Sequence, residues 1–255
     1  MDKIEFIFSP EYDIKMISHF VSPDEKDWDW SEKIFRFHPK LKKKLNGVDE
    51  VKKRDEIVKN YVKGWFQNSS NYNKIQNRKK EIEKKWLNIH NKFILILKKE
   101  FNLKQHKQKT ITCSVSINPI CPRKLNTNFF SVFYGYDINS ILVIIAHEIT
   151  HFFYFDKWKK TFPNSDPKTF GGPHIIWHLS EIMAPIILAE PKIQKLLNKL
   201  DMGYKEYGKI KINGRNIIEH FDFLYKNFGK KKDFGEFLKE AYKEIKKYEK
   251  ELNEL

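Results

Sequence analysis

The sequence predicts an α+β fold that is mostly helical, with a small β-sheet placed before a helix that carries two histidines. Apolar residues recur every three or four positions over 48–66 and 81–101, which is the period of an amphipathic helix. Apolar and polar residues alternate over 111–117, which indicates a half-buried strand. An apolar stretch over 140–157 then contains the histidines.

The chain has 255 residues, of which 40% are hydrophobic and 15% aromatic. This apolar content is enough for a buried core, and it excludes the disordered, collagen-like and coiled-coil classes. We predict a helical N-terminal region over residues 1–105. A second region over residues 106–255 contains the small sheet and a helical C-terminal part, and the two are expected to form one compact unit.

The N-terminal region is predicted to consist of helices with polar joints between them. The helix over 81–101 is the clearest of these, because its apolar residues lie on one face: Ile82, Trp86, Ile89, Phe93, Leu97 and Phe101. A Ser/Asn cluster over 68–73 predicts a loop before this helix.

The small sheet is predicted from two strand-like segments. The first is 111–117, which Pro119 and Pro122 end. The second is the aromatic-rich run 128–136, which we expect to pair with the first in antiparallel orientation.

The rest of the chain predicts further helices. Asp137, Asn139 or Ser140 can cap a helix over 140–157, and Pro163 and Pro167 then force a loop. Pro173 suits the first turn of a helix that reaches about Ala189, with Pro185 as a kink or an early end. The remaining elements are a short helix near 191–200, a turn over 203–214, a helix near 216–228 and a final helix over 233–252.

Charge and hydropathy bear on the partners. The net charge is +15, but 43 of the 48 basic residues are Lys and five are Arg, so the sequence does not favour nucleic acid as the main partner. No secretory signal and no run of 18 uncharged apolar residues is present, so we expect a soluble, cytoplasmic protein without a membrane partner. The oligomeric state is not indicated.

The segment His147-Glu148-Ile149-Thr150-His151 matches the pattern H-E-x-x-H. On a helix, residues four apart lie on the same face, so the two imidazoles converge on one point. Neutral imidazoles suit Zn²⁺, and the adjacent Glu148 can accept a proton from a water molecule on the metal. The pattern therefore predicts metal-assisted hydrolysis.

The ten residues IIAHEITHFF, 144–153, resemble the active-site helix of the zincin metallopeptidases. The order of elements is also similar to that of zincins, which place a small sheet just upstream of this helix. The resemblance implies a zincin-like region over 106–255 and a zinc-dependent hydrolase, most readily a metallopeptidase in which Glu148 activates a zinc-bound water. It implies a peptide or protein substrate, which strand addition to residues 110–117 would help to bind.

The third metal ligand is predicted from the same resemblance. The metzincin pattern is absent, because Tyr154 and Lys157 stand where that branch has Gly and His. The gluzincin branch places a Glu on a later helix, and Glu181 lies 30 residues after His151. His178 lies on the same helical face as Glu181 and is the alternative ligand, or else contacts the substrate.

Three further points stay open. His174, one turn before His178, is expected to line the cleft rather than to bind the metal. The gluzincin carboxylate four residues after Glu181 is replaced by Pro185, so a carboxylate supporting the ligands must come from elsewhere. The group that stabilises an oxyanion is one of Tyr134, Tyr136, Tyr204, Tyr207, His178 and His220.

Two other functions compete with the metallopeptidase. One is a non-enzymatic zincin-like protein that regulates or binds a partner and holds zinc as a structural ion. The other is a basic nucleic-acid-binding protein in which the H-E-x-x-H pattern is accidental. Metal content and hydrolytic activity separate the three.

Overall fold

A computed structural model of the chain describes residues 3–24, 30–104, 110–228 and 233–255. Within them the protein is mostly helical with a small mixed sheet, which confirms the predicted α+β class. The strands are β1 (Lys3–Ile7), β2 (Thr110–Ser116), β3 (Arg123–Lys124), β4 (Phe129–Phe133), β5 (Lys211–Ile212) and β6 (Arg215–Asn216). The helices are α1 (Pro10–Phe20), α2 (Ser31–Phe37), α3 (Pro39–Leu45), α4 (Val51–Gln67), α5 (Ser69–Glu100), α6 (Ile138–Thr161), α7 (Ile175–Leu188), α8 (Pro191–Leu197), α9 (Ile217–Asn227), α10 (Phe234–Ile245) and α11 (Glu249–Asn253).

The chain divides into two compact units, each built from separate stretches of sequence. The sheet unit comprises the described parts of Asp2–Trp86 and Thr110–Ile141, and the helical unit those of Leu87–Lys109 and Leu142–Leu255. These boundaries differ from the predicted division between residues 105 and 106, which stays a prediction about regions of the sequence.

The main sheet has the strand order β1-β2-β4-β3. Strands β1 and β4 are both parallel to β2, and only the two-residue β3 is antiparallel to its neighbour β4. The predicted antiparallel pairing of 128–136 with 111–117 is therefore wrong. The chain reverses twice after β2, through β3 and then a 3₁₀ turn at Leu125–Thr127, so β4 again runs in the direction of β2.

Strand β2 lies inside the sheet. Its residue Cys113 is paired with Phe6 of β1 on one side and with Phe130 of β4 on the other. Both edges of β2 are thus occupied along this register, so the expectation that residues 110–117 bind a peptide by strand addition is wrong. Ile111, Cys113 and Val115 are fully buried, as the alternation predicts, but the strand is not half-buried, because Ser114 and Ser116 of the other face are fully buried too.

Three helical predictions need correction. The predicted loop over 68–73 is a single residue, Asn68, between α4 and α5. The Asn68 Oδ1 atom accepts a hydrogen bond of 3.1 Å from the Asn71 N–H and so caps α5, which begins at Ser69. The region 1–105, predicted as helical, begins with strand β1. The final predicted helix is interrupted by a 3₁₀ turn at Lys246–Tyr248 that separates α10 from α11.

Helix α6 carries the histidines and is long and apolar. An 18-residue window in it has a mean hydropathy of 1.4, enough by length and composition to cross a membrane, but 72% of that window is buried inside the protein. The core helix of a soluble protein shows the same combination, so this finding is weak evidence for a membrane span. Helix α7 is also buried over almost its whole length.

Candidate metal centre

Helix α6 presents the two histidines of the H-E-x-x-H pattern on one face, as predicted. The Nε2 atoms of His147 and His151 lie 2.8 Å apart, and their ring centroids are separated by 4.6 Å. His151 is fully buried, whereas His147 keeps a small exposed edge. The two imidazoles therefore point at a common position near the protein surface.

Helix α7 brings Glu181 to the same position. Its Oε2 atom lies 3.1 Å from Nε2 of His147, and its Oε1 atom lies 3.3 Å from Nε2 of His151. Ligand atoms of the three residues all lie within 4.8 Å of one another, and they form the group of His, Cys, Asp and Glu side chains in the described ranges that could hold a metal ion. The cluster lies wholly within the helical unit.

Asp201 supplies the supporting carboxylate that the sequence left unassigned. Its Oδ2 atom lies 2.6 Å from Nδ1 of His147, and its Oδ1 atom accepts a hydrogen bond of 3.1 Å from the Gly203 N–H. A carboxylate on Nδ1 fixes the ring orientation and leaves Nε2 available to a metal. Asp201 lies 20 residues after Glu181 in a segment without helical or strand structure, so no periodic signal marked it.

A close backbone approach holds the Asp201 segment in place. Gly203 has φ of +60°, and a Cβ atom there would lie 3.2 Å from Cγ of Pro185 and 3.3 Å from Cδ1 of Ile218. Only glycine adopts this conformation without strain and leaves room for both neighbours. Pro185 thus lies against the segment that carries the Asp201 carboxylate.

The charges of the cluster are strongly coupled. Burial by itself lowers the pKa of His147, but Asp201 and Glu181 outweigh it and raise this pKa well above its usual value. Burial raises the pKa of Asp201, but the adjacent His147 outweighs it and the net shift is downward. The contact between His147 and Asp201 is therefore a charge-assisted hydrogen bond.

Glu148, the predicted base, is buried on α6 directly after His147. One residue along a helix turns a side chain by about 100°, so Glu148 lies beside the histidine face rather than on it. Glu148 is not among the three residues of the cluster, and its role as a base stays a prediction.

His178 lies one turn before Glu181 on α7, and it hydrogen-bonds to a tyrosine instead of joining the cluster. Its Nδ1 atom lies 3.0 Å from the Tyr207 hydroxyl. Burial lowers the pKa of His178, although Glu181 and the Pro173 carbonyl favour the protonated ring, so the imidazole is neutral. Within the described ranges its buried Nε2 atom makes no hydrogen bond of normal geometry.

Other residues considered in the sequence lie elsewhere. His174 is exposed before the first turn of α7 and lines a groove with Tyr242 and Glu249, so the expectation that it borders the metal cleft is not supported. His220 of α9 lies 3.2 Å from Glu244 of α10. Tyr136 belongs to the sheet unit, where its hydroxyl donates to the Pro119 carbonyl.

Comparisons with family models, with curated proteins and with solved structures return no match for this chain.

Proposed function

We propose that this protein is a zinc-dependent hydrolase of the zincin type, in which His147, His151 and Glu181 hold Zn²⁺. The observation that carries the proposal is the convergence of two imidazole nitrogens and one carboxylate within 4.8 Å. Two His and one Glu form a known ligand set of catalytic zinc sites, which leave the fourth position open. The proposed zincin likeness also rests on the resemblance of residues 144–153.

The residues fit a zinc ion chemically. Burying two imidazoles and a carboxylate side by side is costly unless charges and hydrogen bonds are satisfied, and a divalent cation would satisfy them together. Asp201 turns Nε2 of His147 toward the cluster, as is common for metal-bound histidines. A zinc ion, when bound, would polarise a substrate carbonyl and make water easier to deprotonate near neutral pH.

Side chains of the protein would carry out proton transfer and substrate binding. Glu148 would accept a proton on its carboxylate from the attacking water and pass it to the leaving group. When the Tyr207 hydroxyl donates to Nδ1 of His178, the imidazole carries its proton on Nε2 and can donate a hydrogen bond to a substrate oxygen. Neutral His178 would thus assist the substrate rather than bind the metal.

The substrate class rests on the family resemblance. We propose a peptide or protein substrate and a cytoplasmic location, without the support from strand addition, because both sides of β2 are occupied. The residues themselves support only metal-assisted hydrolysis.

Metal analysis combined with a broad peptide-library digest tests the proposal. We expect about one zinc per parent chain, and loss of most zinc in His147→Ala and His151→Ala. His19→Ala, which removes an exposed imidazole of the sheet unit, is the matched control and should keep the parent zinc content. Unchanged zinc in both cluster variants would refute the site.

The predicted base is tested separately. Glu148→Gln keeps the side-chain volume and removes the basic carboxylate, so zinc should remain while peptide turnover falls by about 100-fold or more. Full activity would exclude Glu148 as the base. Zinc without hydrolysis in the parent would favour the non-enzymatic alternative, and a chain without metal would leave the nucleic-acid-binding one.

A further inference from the structure

The exposed side chains of the segment 192–211, which carries Asp201, are mostly basic and include two apolar residues. Residues 192–211 contain six lysines and two acidic residues. All six lysines are exposed: Lys192, Lys195, Lys199, Lys205, Lys209 and Lys211. Of the two acids, Asp201 is bound to His147 and Glu206 is half-buried, so lysines outnumber acids among the exposed residues of this segment.

The two apolar residues next to Asp201 are turned to solvent. Met202 is 75% exposed and Leu200 is 55% exposed, and the two residues flank Asp201 on either side. Neighbouring residues of a non-helical segment point in different directions, so fixing Asp201 on His147 turns Leu200 and Met202 outward. The contact between Gly203 and Pro185 holds this arrangement.

We propose that this surface, defined by Leu200, Met202 and the six lysines, binds peripherally to an anionic lipid bilayer. Lysines near an anionic membrane gain electrostatic attraction, and aliphatic side chains gain by entering the interface between headgroups and acyl chains. A nucleic acid would account for the lysines but would gain nothing from two projecting aliphatic groups. The lipid surface accounts for both features together.

This proposal goes beyond the hydrolase and does not depend on it. The sequence led us to expect no membrane partner because it contains no uncharged spanning segment, and a peripheral contact needs none. Because Asp201 lies between the two apolar residues, docking would hold the proposed metal centre close to the lipid surface.

Vesicle co-sedimentation of the full chain tests the proposal. We expect binding to vesicles of three parts phosphatidylcholine to one part phosphatidylserine, little binding to pure phosphatidylcholine, and release as salt is raised. Leu200→Ser combined with Met202→Ser should weaken binding by about ten-fold or more. Lys205→Gln combined with Lys209→Gln should weaken it less, and should flatten its salt dependence.

A matched control comes from α5 in the same unit, where Leu87 and Leu95 are 58% and 67% exposed. Leu87→Ser combined with Leu95→Ser removes the same kind of exposed apolar side chain and should leave vesicle binding unchanged. An equal loss in this control, or parent-like binding of the Leu200/Met202 variant, would overturn the proposal. Binding to duplex DNA but not to anionic vesicles would overturn it too. Unchanged circular dichroism and an unchanged unfolding midpoint in each variant show that the fold persists.

Discussion

Replacing Asp13 with asparagine should remove a pH dependence from the stability of the sheet unit. Asp13 of α1 is fully buried, and its carboxylate accepts hydrogen bonds from the Ser116 hydroxyl and, at 3.2 Å, from the Ile117 N–H. Burial raises the pKa of Asp13 from 3.8 to about 7, against the lowering effect of the two hydrogen bonds. The folded chain therefore holds this proton more tightly than the unfolded chain does.

The sign and size of the effect follow from that difference. A raised folded-state pKa contributes stability that is complete below the unfolded pKa and is lost as pH rises through the folded pKa. At about 1.4 kcal/mol for each pKa unit, the full contribution is about 4 kcal/mol. Between pH 5 and pH 8 the parent should lose about 2–3 kcal/mol of unfolding free energy through Asp13.

Asparagine cannot ionise, so Asp13→Asn should lack this loss. Its amide oxygen can accept from the Ile117 N–H and its amide nitrogen can donate to the Ser116 oxygen, as a protonated carboxyl would. The contributions of the other titrating groups to the unfolding free energy cancel when parent and variant are compared at both pH values. The unfolding free energy of the variant minus that of the parent should rise by about 2–3 kcal/mol from pH 5 to pH 8.

Urea denaturation followed by hydrogen exchange of peptides from β2 measures this difference in the unit where Asp13 lies. Asp55→Asn, which removes an exposed carboxylate of α4 in the same unit, is the control and should follow the parent at both pH values. A difference between Asp13→Asn and parent that stays constant from pH 5 to pH 8 would refute the reasoning, because it would mean that Asp13 is ionised throughout.

Three further predictions concern the metal centre. Glu181→Ala should lower zinc affinity by about 10-fold or more, whereas His178→Ala should retain zinc and impair turnover. A zinc titration and a peptide assay separate the two effects. The reverse pattern would make His178 the metal ligand and Glu181 the residue that assists the substrate. Asp201→Asn should lower zinc affinity by about 10- to 100-fold in the same titration, since the single amide oxygen cannot accept hydrogen bonds from both Nδ1 of His147 and the Gly203 N–H as the two carboxylate oxygens do. Parent-like affinity would show that this support is dispensable. Gly203→Ala should lower the free energy of unfolding in a urea melt by about 1–3 kcal/mol, and it should weaken zinc binding by displacing Asp201. Gly208→Ala is the control, because an added Cβ there meets nothing within 4 Å, and it should change neither quantity.

Local patterns were enough to predict the main helices and the common face of the two histidines. The spacing of His147 and His151 fixes their common face on any helix, because 3.6 residues make one turn. The alternation over 111–117 likewise marked the buried face of β2, where Ile111 and Val115 are fully buried. These features depend on neighbours a few residues apart in the chain, so they can be predicted from the sequence.

The direction and pairing of the strands could not be predicted from such local patterns. Strand β1 is five residues long and pairs with a segment more than 100 residues later, and alternation within a strand is the same for parallel and antiparallel neighbours. The antiparallel expectation for β4, and the peptide-binding role given to β2, failed for this reason.

The sequence by itself determined the two imidazoles of the candidate site and the helical face on which they lie. Only the tertiary structure decided between Glu181 and His178 in the cluster, because both occupy one face of α7 and their distances to His147 depend on how α6 and α7 pack. It also brought in Asp201, 54 residues from His147, through a loop whose path depends on the contact between Gly203 and Pro185. Contacts between distant segments are set by packing of the whole helical unit, and no local period encodes them.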